Sequence, residues 1–250
     1  IAILFSDIRK FTSLSETLST QELIGFLNEY TECMNPIIHN HNGFIDKFIG
    51  DAIMAIFAKS EEAVAAAIEM QEKLIEFNSV QKEKKMPEIS IGIGINSGPV
   101  MMGTIGSKTR LETTVIGDAV NVSSRLEGLT KFYDSNIIIS ESTYKAINSE
   151  SIKMRELDIS SVKGKKETTK IYQVFNTLSA NEIEPVLSQY NEGLIQYREK
   201  KFKEALKTFK DCLSSAPDDH VLQLYISRCE EYIEKPPADD WNGVYKFDHK

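Results

Sequence analysis

Short apolar runs and amphipathic segments alternate along the first 176 residues of this 250-residue chain. Runs rich in Ile, Val and Phe predict strands, and apolar residues spaced by three or four positions predict helices. Ser19 or Thr20 is expected to cap the first helix and Asp118 the third. In chain order, the pattern predicts strands at residues 1–5, 44–48, 52–57, 89–96, 100–105, 137–139, 154–162 and 170–175, and helices beginning near residues 20, 60, 118 and 142.

Two hairpins are expected from these runs. The first carries Gly50 and Asp51 in its turn, and the second joins residues 89–96 to residues 100–105 around Gly98 and Pro99. The order βα, ββα, ββα, βα, ββ is typical of an α+β fold, in which helices collect on one face of a mainly antiparallel sheet.

After Asn176 the strand signal disappears, and residues 183–234 predict three helices separated near residues 200 and 217. Gly193, Ala205, Phe209 and Pro217 have the mutual spacing of a single tetratricopeptide-like repeat. Because one repeat cannot bury its apolar face alone, this extension is expected to pack on the rest of the chain or on a protein partner. We therefore divide the chain into a main domain (residues 1–178), a small all-α extension (183–235) and a polar tail (236–250).

The amino-acid composition argues against several classes of protein. The chain has 29 Lys and Arg against 37 Asp and Glu, a formal net charge of −8, which argues against nucleic acid as a partner. The longest apolar stretch, residues 52–58, is too short to span a membrane. Three cysteines without metal-site spacing indicate a reducing, cytoplasmic compartment. Because the chain opens on Ile1, we expect a piece of a longer protein, and attachment of that longer protein to a membrane stays open as an alternative.

Two acids follow apolar runs, Asp7 at a strand end and Asp51 in a hairpin turn. A carboxylate in such a position costs free energy unless it is solvated, paired or bound to a cation. Two separated carboxylates suit Mg²⁺, which keeps its other coordination positions for water and substrate phosphates. The alternative, that each acid only caps a turn, remains open at this point.

A third segment, residues 114–127, carries Asn121 and Arg125 four positions apart on a predicted helix. Side chains with this spacing share one helix face, where together they can hold a ribose and a phosphate. The alternative is an ordinary exposed polar face.

The three segments, FSDIRKFT (5–12), KFIGD (47–51) and TVIGDAVNVSSRLE (114–127), resemble the signature blocks of the class III nucleotide cyclase catalytic domain. The resemblance runs from Ile1 to about Phe175. It implies a ferredoxin-like βαββαβ core that works as a homodimer, with active sites built from both copies. It also implies attack of the ribose 3′-oxygen of a nucleotide on its α-phosphate, with release of pyrophosphate.

The resemblance assigns a role to each matching residue. Asp7 and Asp51, with the backbone carbonyl of Ile8, resemble the ligands of two Mg²⁺ or Mn²⁺ ions. Arg125 resembles the residue that stabilises charge on the α-phosphate, and Asn121 the residue that orients the ribose.

Phosphate contacts are implied for Phe11 and Thr12, which resemble a turn whose backbone N–H groups cradle the anion. They are also implied for Lys163, which resembles a lysine that neutralises the terminal phosphates, and Lys165 is an alternative for the same role. Lys10 departs from the family pattern, because many members carry Gly before the Phe, and this departure affects the expected backbone path of the turn.

Two residues are implied in the choice of base. Lys47 stands where adenylate cyclases carry a lysine for the N1 acceptor of adenine and guanylate cyclases carry a glutamate. Thr114 stands where other members carry Asp or Cys, and Thr is typical of the subgroup that resembles bicarbonate-responsive adenylate cyclases. A hydroxyl both donates and accepts, so Thr114 discriminates less sharply than Asp.

The sequence therefore predicts an adenylate cyclase that converts ATP to 3′,5′-cyclic AMP as a homodimer. Two alternatives remain open. One is a guanylate or mixed-specificity cyclase, and the other is a catalytically silent nucleotide-binding or scaffold module.

Overall fold

The computed structural model describes residues 1–107, 110–147, 152–161 and 168–244. Two compact units divide the chain, unit 1 at Ile1–Ile152 and unit 2 at Lys153–Lys250. Each unit combines strands and helices, so the α+β class predicted from the sequence is confirmed.

Unit 1 contains a sheet with the strand order β2-β3-β1-β4-β7. All neighbouring strands in this part of the sheet are antiparallel except β4 and β7, which are parallel. A separate two-stranded sheet is formed by β5 and β6. The strands are β1 (Ala2–Ile8), β2 (Gly43–Ile49), β3 (Ala52–Phe57), β4 (Ile91–Ser97), β5 (Met101–Ser107), β6 (Arg110–Ile116) and β7 (Ile137–Ser140).

Helices of unit 1 are α1 (Phe11–Thr17), α2 (Thr20–Asn40), α3 (Ser60–Glu83), α4 (Asp118–Phe132) and α5 (Glu141–Ala146). Ser19 caps α2 as expected, in a reciprocal capping box with Glu22. Edge-to-face contacts join Phe26 and Tyr30 of α2 to Phe77 of α3. Such aromatic pairs add directional packing to the area that they bury.

The expected pairing of β4 with β5 is wrong. β4 instead pairs with β1 and β7, whereas β5 pairs with β6. The physical reason lies in burial: β4 is buried from Ile91 to Asn96, which suits a strand with neighbours on both sides. The polar stretch before Thr114, which carried no strand prediction, forms β6.

Two helix starts also differ from expectation. Gly117, not Asp118, is the N-cap of α4, and Asp118 is the first helical residue. Phe11 and Thr12, expected in a turn, begin the short helix α1. Its N-cap, Lys10, has a φ of 55° in the left-handed region, where glycine is favoured. This explains why Gly suits the position before the Phe in the family pattern.

Unit 2 contains the antiparallel strands β8 (Met154–Ser161) and β9 (Thr168–Val174) and the helices α6 (Thr177–Arg198), α7 (Phe202–Ser215) and α8 (His220–Glu234). The three helices match the expected number and the expected breaks. Gly193 of α6 packs against the ring of Phe209 of α7, since an added Cβ would lie 2.6 Å from that ring. The tetratricopeptide-like assignment stays a prediction.

Buried ion pairs connect strand β8 of unit 2 to its last helix. Arg228 donates to Asp158 over 2.7 Å, and Arg155 donates to both carboxylate oxygens of Asp219. The Tyr225 hydroxyl also donates to the carbonyl of Leu157 over 2.7 Å. Removing one member of such a pair leaves a buried charge uncompensated, so these contacts specify how the helix meets the strand. Among the described residues, no helix has the length and apolar character needed to cross a membrane.

Close packing of β4 on α4 generates a test of the fold. A Cβ at Gly94 would lie 2.1 Å from the backbone nitrogen of Glu127 and 2.5 Å from the carbonyl oxygen of Ser123. Backbone atoms cannot move aside as a flexible side chain can. We therefore expect Gly94→Ala to lower the free energy of unfolding by about 1–3 kcal/mol in a denaturant titration.

Gly128→Ala is the matched control, because Gly128 lies on α4 with nothing within 4 Å of an added Cβ. A helical Gly→Ala change at an open position is expected to raise the free energy of unfolding by about 0.5–1 kcal/mol. Equal stability of the two variants would contradict the packing described here.

Candidate active site

Asp7 and Asp51 are brought together by neighbouring strands of unit 1. Asp7 lies inside β1, which extends beyond its predicted end, and Asp51 lies in the turn between β2 and β3. Gly50 opens this turn with a φ of 66°, a conformation that glycine adopts without strain. The Ile8 backbone N–H donates to Asp51 Oδ2 over 3.1 Å. Ile8, whose backbone carbonyl is expected to bind a metal ion, therefore also positions the Asp51 carboxylate through its N–H.

The electrostatics of this pair favour a bound cation. Burial, followed by the hydrogen bond and the negative charge of Asp7, raises the pKa of Asp51 to about 6. Two carboxylates that compete for one proton are stabilised when a divalent cation replaces it. No cluster of three or more His, Cys, Asp or Glu with metal-binding geometry occurs among the described residues. Two carboxylates and a backbone carbonyl fit Mg²⁺, which retains water and phosphate ligands.

Sequence reasoning missed the residues that surround Asp7. Lys131 of α4 places its Nζ 3.4 Å from Asp7 Oδ2. Glu127, one turn earlier on α4, has its pKa raised to about 7, first by burial and then by the charge of Asp7. Glu127 Oε1 is buried without a hydrogen-bond partner. The spacing of Glu127 and Lys131 on one helix face was the available signal, but it is common on ordinary exposed helices.

A second set of side chains forms around Lys47 and Thr114. The Thr114 hydroxyl donates to Asp46 Oδ2 over 2.8 Å, and Lys47 Nζ lies 3.6 Å from the same oxygen. The structure thus brings together the two residues implied in base choice. Asp46, which joins them, was missed because in an alternating strand it would face away from Lys47.

Asn121 and Arg125 lie on α4 with their side chains exposed to solvent. Between them, the Ser123 hydroxyl is buried and donates to the carbonyl oxygens of Ile3 and Gly94. These bonds fix the rotation of α4 on the sheet, so Asn121 and Arg125 lie on the opposite, exposed face of the helix. Of the residues expected to contact phosphate, Phe11 and Thr12 begin α1, and Lys163 lies outside the described residues.

A family model described as the adenylate and guanylate cyclase catalytic domain matches residues 1–176. The match covers more than half of the chain and includes the strands and helices that carry both sets of side chains. The chain therefore belongs to the family of adenylate and guanylate cyclase catalytic domains.

Two relatives show how far the similarity extends. The chain is 50% identical over 182 residues to an adenylate cyclase of Anabaena cylindrica. The aligned region covers 70% of this chain and 36% of that protein. It is 40% identical over 247 residues to the terminal-differentiation-specific adenylate cyclase of Dictyostelium discoideum. This aligned region covers 94% of this chain and 11% of that protein. The chain thus spans only a minor part of either relative, and the second match extends into the helices of unit 2.

Solved structures of both kinds of cyclase resemble the chain. The adenylyl cyclase CyaB from P. aeruginosa is 34% identical with a TM-score of 0.63, covering 70% of this chain and 93% of that one. The guanylyl cyclase Cya2 is 35% identical with a TM-score of 0.62, covering 70% of this chain and 91% of that one. The fold is therefore shared by enzymes of either base specificity, and the choice of base depends on individual side chains.

Proximity of the two acids predicts how metal ions affect stability. Because the pKa of Asp51 is raised in the folded chain, its ionisation lowers stability as pH rises from about 4 to about 6, and the cost persists above that range. At pH 8 without metal, Asp51→Asn is expected to raise the melting temperature. Mn²⁺ is expected to raise the melting temperature of the unaltered chain but not that of the variant.

Asp211→Asn serves as the control, since Asp211 is an exposed acid on α7. It should respond to Mn²⁺ as the unaltered chain does. An equal Mn²⁺ shift in the Asp51→Asn variant would show that the ion binds elsewhere.

Proposed function

We propose that this chain is the catalytic domain of an adenylate cyclase, which converts ATP to 3′,5′-cyclic AMP and pyrophosphate at sites shared by two copies. The observation that carries the proposal is the close approach of Asp7 and Asp51. In the same unit, Asp46 contacts both Lys47 and Thr114. The first pair suits a metal-bound triphosphate, and the second suits a base. The Anabaena and Dictyostelium relatives, both named adenylate cyclases, support the same activity.

Asp7, Asp51 and the carbonyl of Ile8 would hold two divalent ions, Mg²⁺ or Mn²⁺. When bound, such ions lower the pKa of the attacking ribose hydroxyl and neutralise the triphosphate. The chain contributes a preformed carboxylate pair, in which the Ile8 N–H holds one oxygen of Asp51 in place. This arrangement reduces the reorganisation needed when metal and nucleotide bind.

Other residues act on the ribose and phosphates. Arg125 supplies a permanent cation for the charge that develops on the α-phosphate, and Asn121 hydrogen-bonds the ribose to orient its 3′-hydroxyl. The backbone N–H groups of Phe11 and Thr12 bind phosphate oxygens, and Lys163 neutralises the terminal phosphates. These contacts align the reacting oxygen with the α-phosphate, which is the positional part of catalysis.

Adenine is selected by the donor of Lys47 and the hydroxyl of Thr114. The Lys47 ammonium donates to the N1 acceptor of adenine, whereas the N1–H of guanine would face it with a second donor. A buried mismatch of this kind costs about 1–3 kcal/mol. The Thr114 hydroxyl accepts a hydrogen bond from the 6-amino group of adenine. A Thr at this position is typical of the subgroup that resembles bicarbonate-responsive adenylate cyclases.

A second copy of the chain completes each site. Most of the exposed large apolar side chains of unit 1 lie on two of its strand segments. On β2, Phe44, Phe48 and Ile49 are each about half exposed, and on the β5–β6 hairpin Met101 and Met102 are 73% and 62% exposed. Apolar side chains concentrated on the strands of one unit are typical of protein–protein contact surfaces.

The helices of unit 2 are a tetratricopeptide-like extension that binds a protein partner, supported by the close contact of Gly193 with Phe209 and by the exposure of Ile195. Cys33, Cys212 and Cys229 are free thiols, which supports a reducing, cytoplasmic compartment.

Product analysis tests the proposed activity. The purified chain is incubated with ATP or GTP and with Mg²⁺ or Mn²⁺ over a range of protein concentrations, and the products are separated by chromatography. We expect cyclic AMP from ATP, with a rate that rises more steeply than linearly with protein concentration because dimers are the active species. Preferential formation of cyclic GMP would instead indicate a guanylate cyclase.

Loss of one carboxylate gives the sharper prediction. We expect Asp51→Asn to reduce the rate of cyclic AMP formation by at least about a hundredfold, because a metal ligand is lost while the fold is retained. Asp211→Asn, the exposed control, should retain the full rate. An Asp51→Asn variant as active as the control would contradict the assigned mechanism, and nucleotide binding without product in the unaltered chain would indicate a silent binding module.

A further inference from the structure

Asp46 lies at an irregular point of the sheet. Between Ile45 and Lys47 the register of β2 against β3 shifts, so one residue is inserted in β2 relative to its partner strand. A bulge of this kind re-aims side chains and allows consecutive residues to lie on the same side of a strand. The Lys47 ammonium and the Asp46 carboxylate are accordingly only 3.6 Å apart.

The Asp46 carboxylate is held by one hydrogen bond and one ion pair. Its side chain is 5% exposed, and its Oδ2 accepts from the Thr114 hydroxyl over 2.8 Å and faces Lys47 Nζ. A carboxylate beside an ammonium group acts only as an acceptor. The hydroxyl hydrogen of Thr114 is therefore directed to Asp46, and only lone pairs of its oxygen remain for another ligand.

We propose that Asp46 fixes the polarity of the Thr114 hydroxyl and thereby makes Thr114 select adenine over guanine, an inference that rests on the proposed cyclase function. A threonine hydroxyl alone is ambiguous, because it can donate to the 6-oxygen of guanine or accept from the 6-amino group of adenine. With its hydrogen held by Asp46, it can only accept. Asp46 is thus a positioning residue that reaches the base through Thr114.

The three side chains together match the edge of adenine. Lys47 presents a donor and Thr114 an acceptor, whereas adenine offers an acceptor at N1 and a donor at its 6-amino group. Guanine instead carries a donor at N1 and an acceptor at its 6-oxygen. The donor would therefore face the Lys47 donor, and the acceptor would face the Thr114 acceptor. Leaving such groups unpaired in a closed site is how enzymes reject a close analogue of their substrate.

Comparison of three forms of the protein tests the role of Asp46. We measure the ratio of kcat/KM for ATP to that for GTP in the unaltered chain, in Asp46→Ala and in Asp46→Asn. Asp46→Ala removes the acceptor and frees the hydroxyl hydrogen, so we expect the ratio to fall about tenfold or more. Asp46→Asn keeps an oxygen acceptor, which the Lys47 ammonium orients, so we expect the preference for ATP to persist.

A double-mutant cycle separates this role from general support of the fold. Thr114→Val removes the hydroxyl through which Asp46 is proposed to act. In that background, adding Asp46→Ala should leave the ATP to GTP ratio unchanged. Thr114→Ser, which keeps a hydroxyl, should retain the effect of Asp46→Ala. The proposal is overturned if Asp46→Ala leaves the ratio at its original value, or changes it equally with and without the Thr114 hydroxyl.

A substrate-side measurement applies even if Asp46→Ala fails to fold. Purine riboside triphosphate keeps the N1 acceptor of ATP but lacks the 6-amino group. If Thr114 acts as an acceptor, the unaltered chain should use this nucleotide about tenfold less well than ATP, and Thr114→Val should remove most of that difference. Equal use of the two nucleotides by the unaltered chain would overturn the proposal.

Binding measurements keep this inference distinct from the proposed activity. Titration calorimetry with unreactive α,β-methylene analogues of ATP and GTP reports base preference without turnover. An unaltered chain that forms no cyclic product contradicts the adenylate cyclase function, whereas the effect of Asp46→Ala on the ratio of the two dissociation constants still supports or overturns the role of Asp46.

Discussion

The close approach of Asp7 and Asp51 is the constraint on which the rest of the site depends. One acid lies in the second-last position of a buried strand and the other in an adjacent hairpin turn, and burial together with mutual repulsion raises the pKa of Asp51 to about 6. The fold offsets part of this cost with the Ile8 N–H and with Lys131. A divalent cation bound as proposed would relieve the remaining cost. Strain of this kind is characteristic of functional sites and is sustained by the stability of the surrounding core.

The β2–β3 hairpin connects the two proposed functions of the site, metal binding and recognition of the base. Its turn supplies Asp51, and four residues earlier the same strand supplies Lys47 beside Asp46. The bulge between these parts lets neighbouring charged residues meet the Thr114 hydroxyl without changing the strand that leads to the metal site. The residues proposed to contact the base can therefore vary in chemistry while the carboxylate pair keeps its position. This separation fits the similarity of the chain to solved adenylyl and guanylyl cyclases alike.

Much of this architecture could be predicted from the sequence, because local signals and tertiary packing agree over most of the chain. Apolar runs predicted most strands, and the acids that follow them indicated the carboxylate pair. The pairing of β5 with β6 was missed, since a polar alternation is a weak strand signal and a Gly-Pro turn suggested a closer partner. The surroundings of Asp7 were missed because Glu127 lies far from it in sequence. Asp46 was missed because a single inserted residue reverses the side to which a strand residue points, and no composition or periodicity marks it.

The most direct test of the central claim is the recovery of activity from two inactive variants. Arg125 lies on the exposed face of α4, opposite the face that Ser123 holds against β1 and β4. We therefore propose that Arg125 serves the site of the partner copy, together with the Asp51 of that copy, so Asp51→Asn and Arg125→Ala should each be inactive alone. Mixing them in equal amounts, with exchange of subunits, should restore about a quarter of the original rate of cyclic AMP formation, because half of the dimers are mixed and each mixed dimer holds one intact site. A mixture that stays inactive although mixed dimers form would contradict a site shared between two copies.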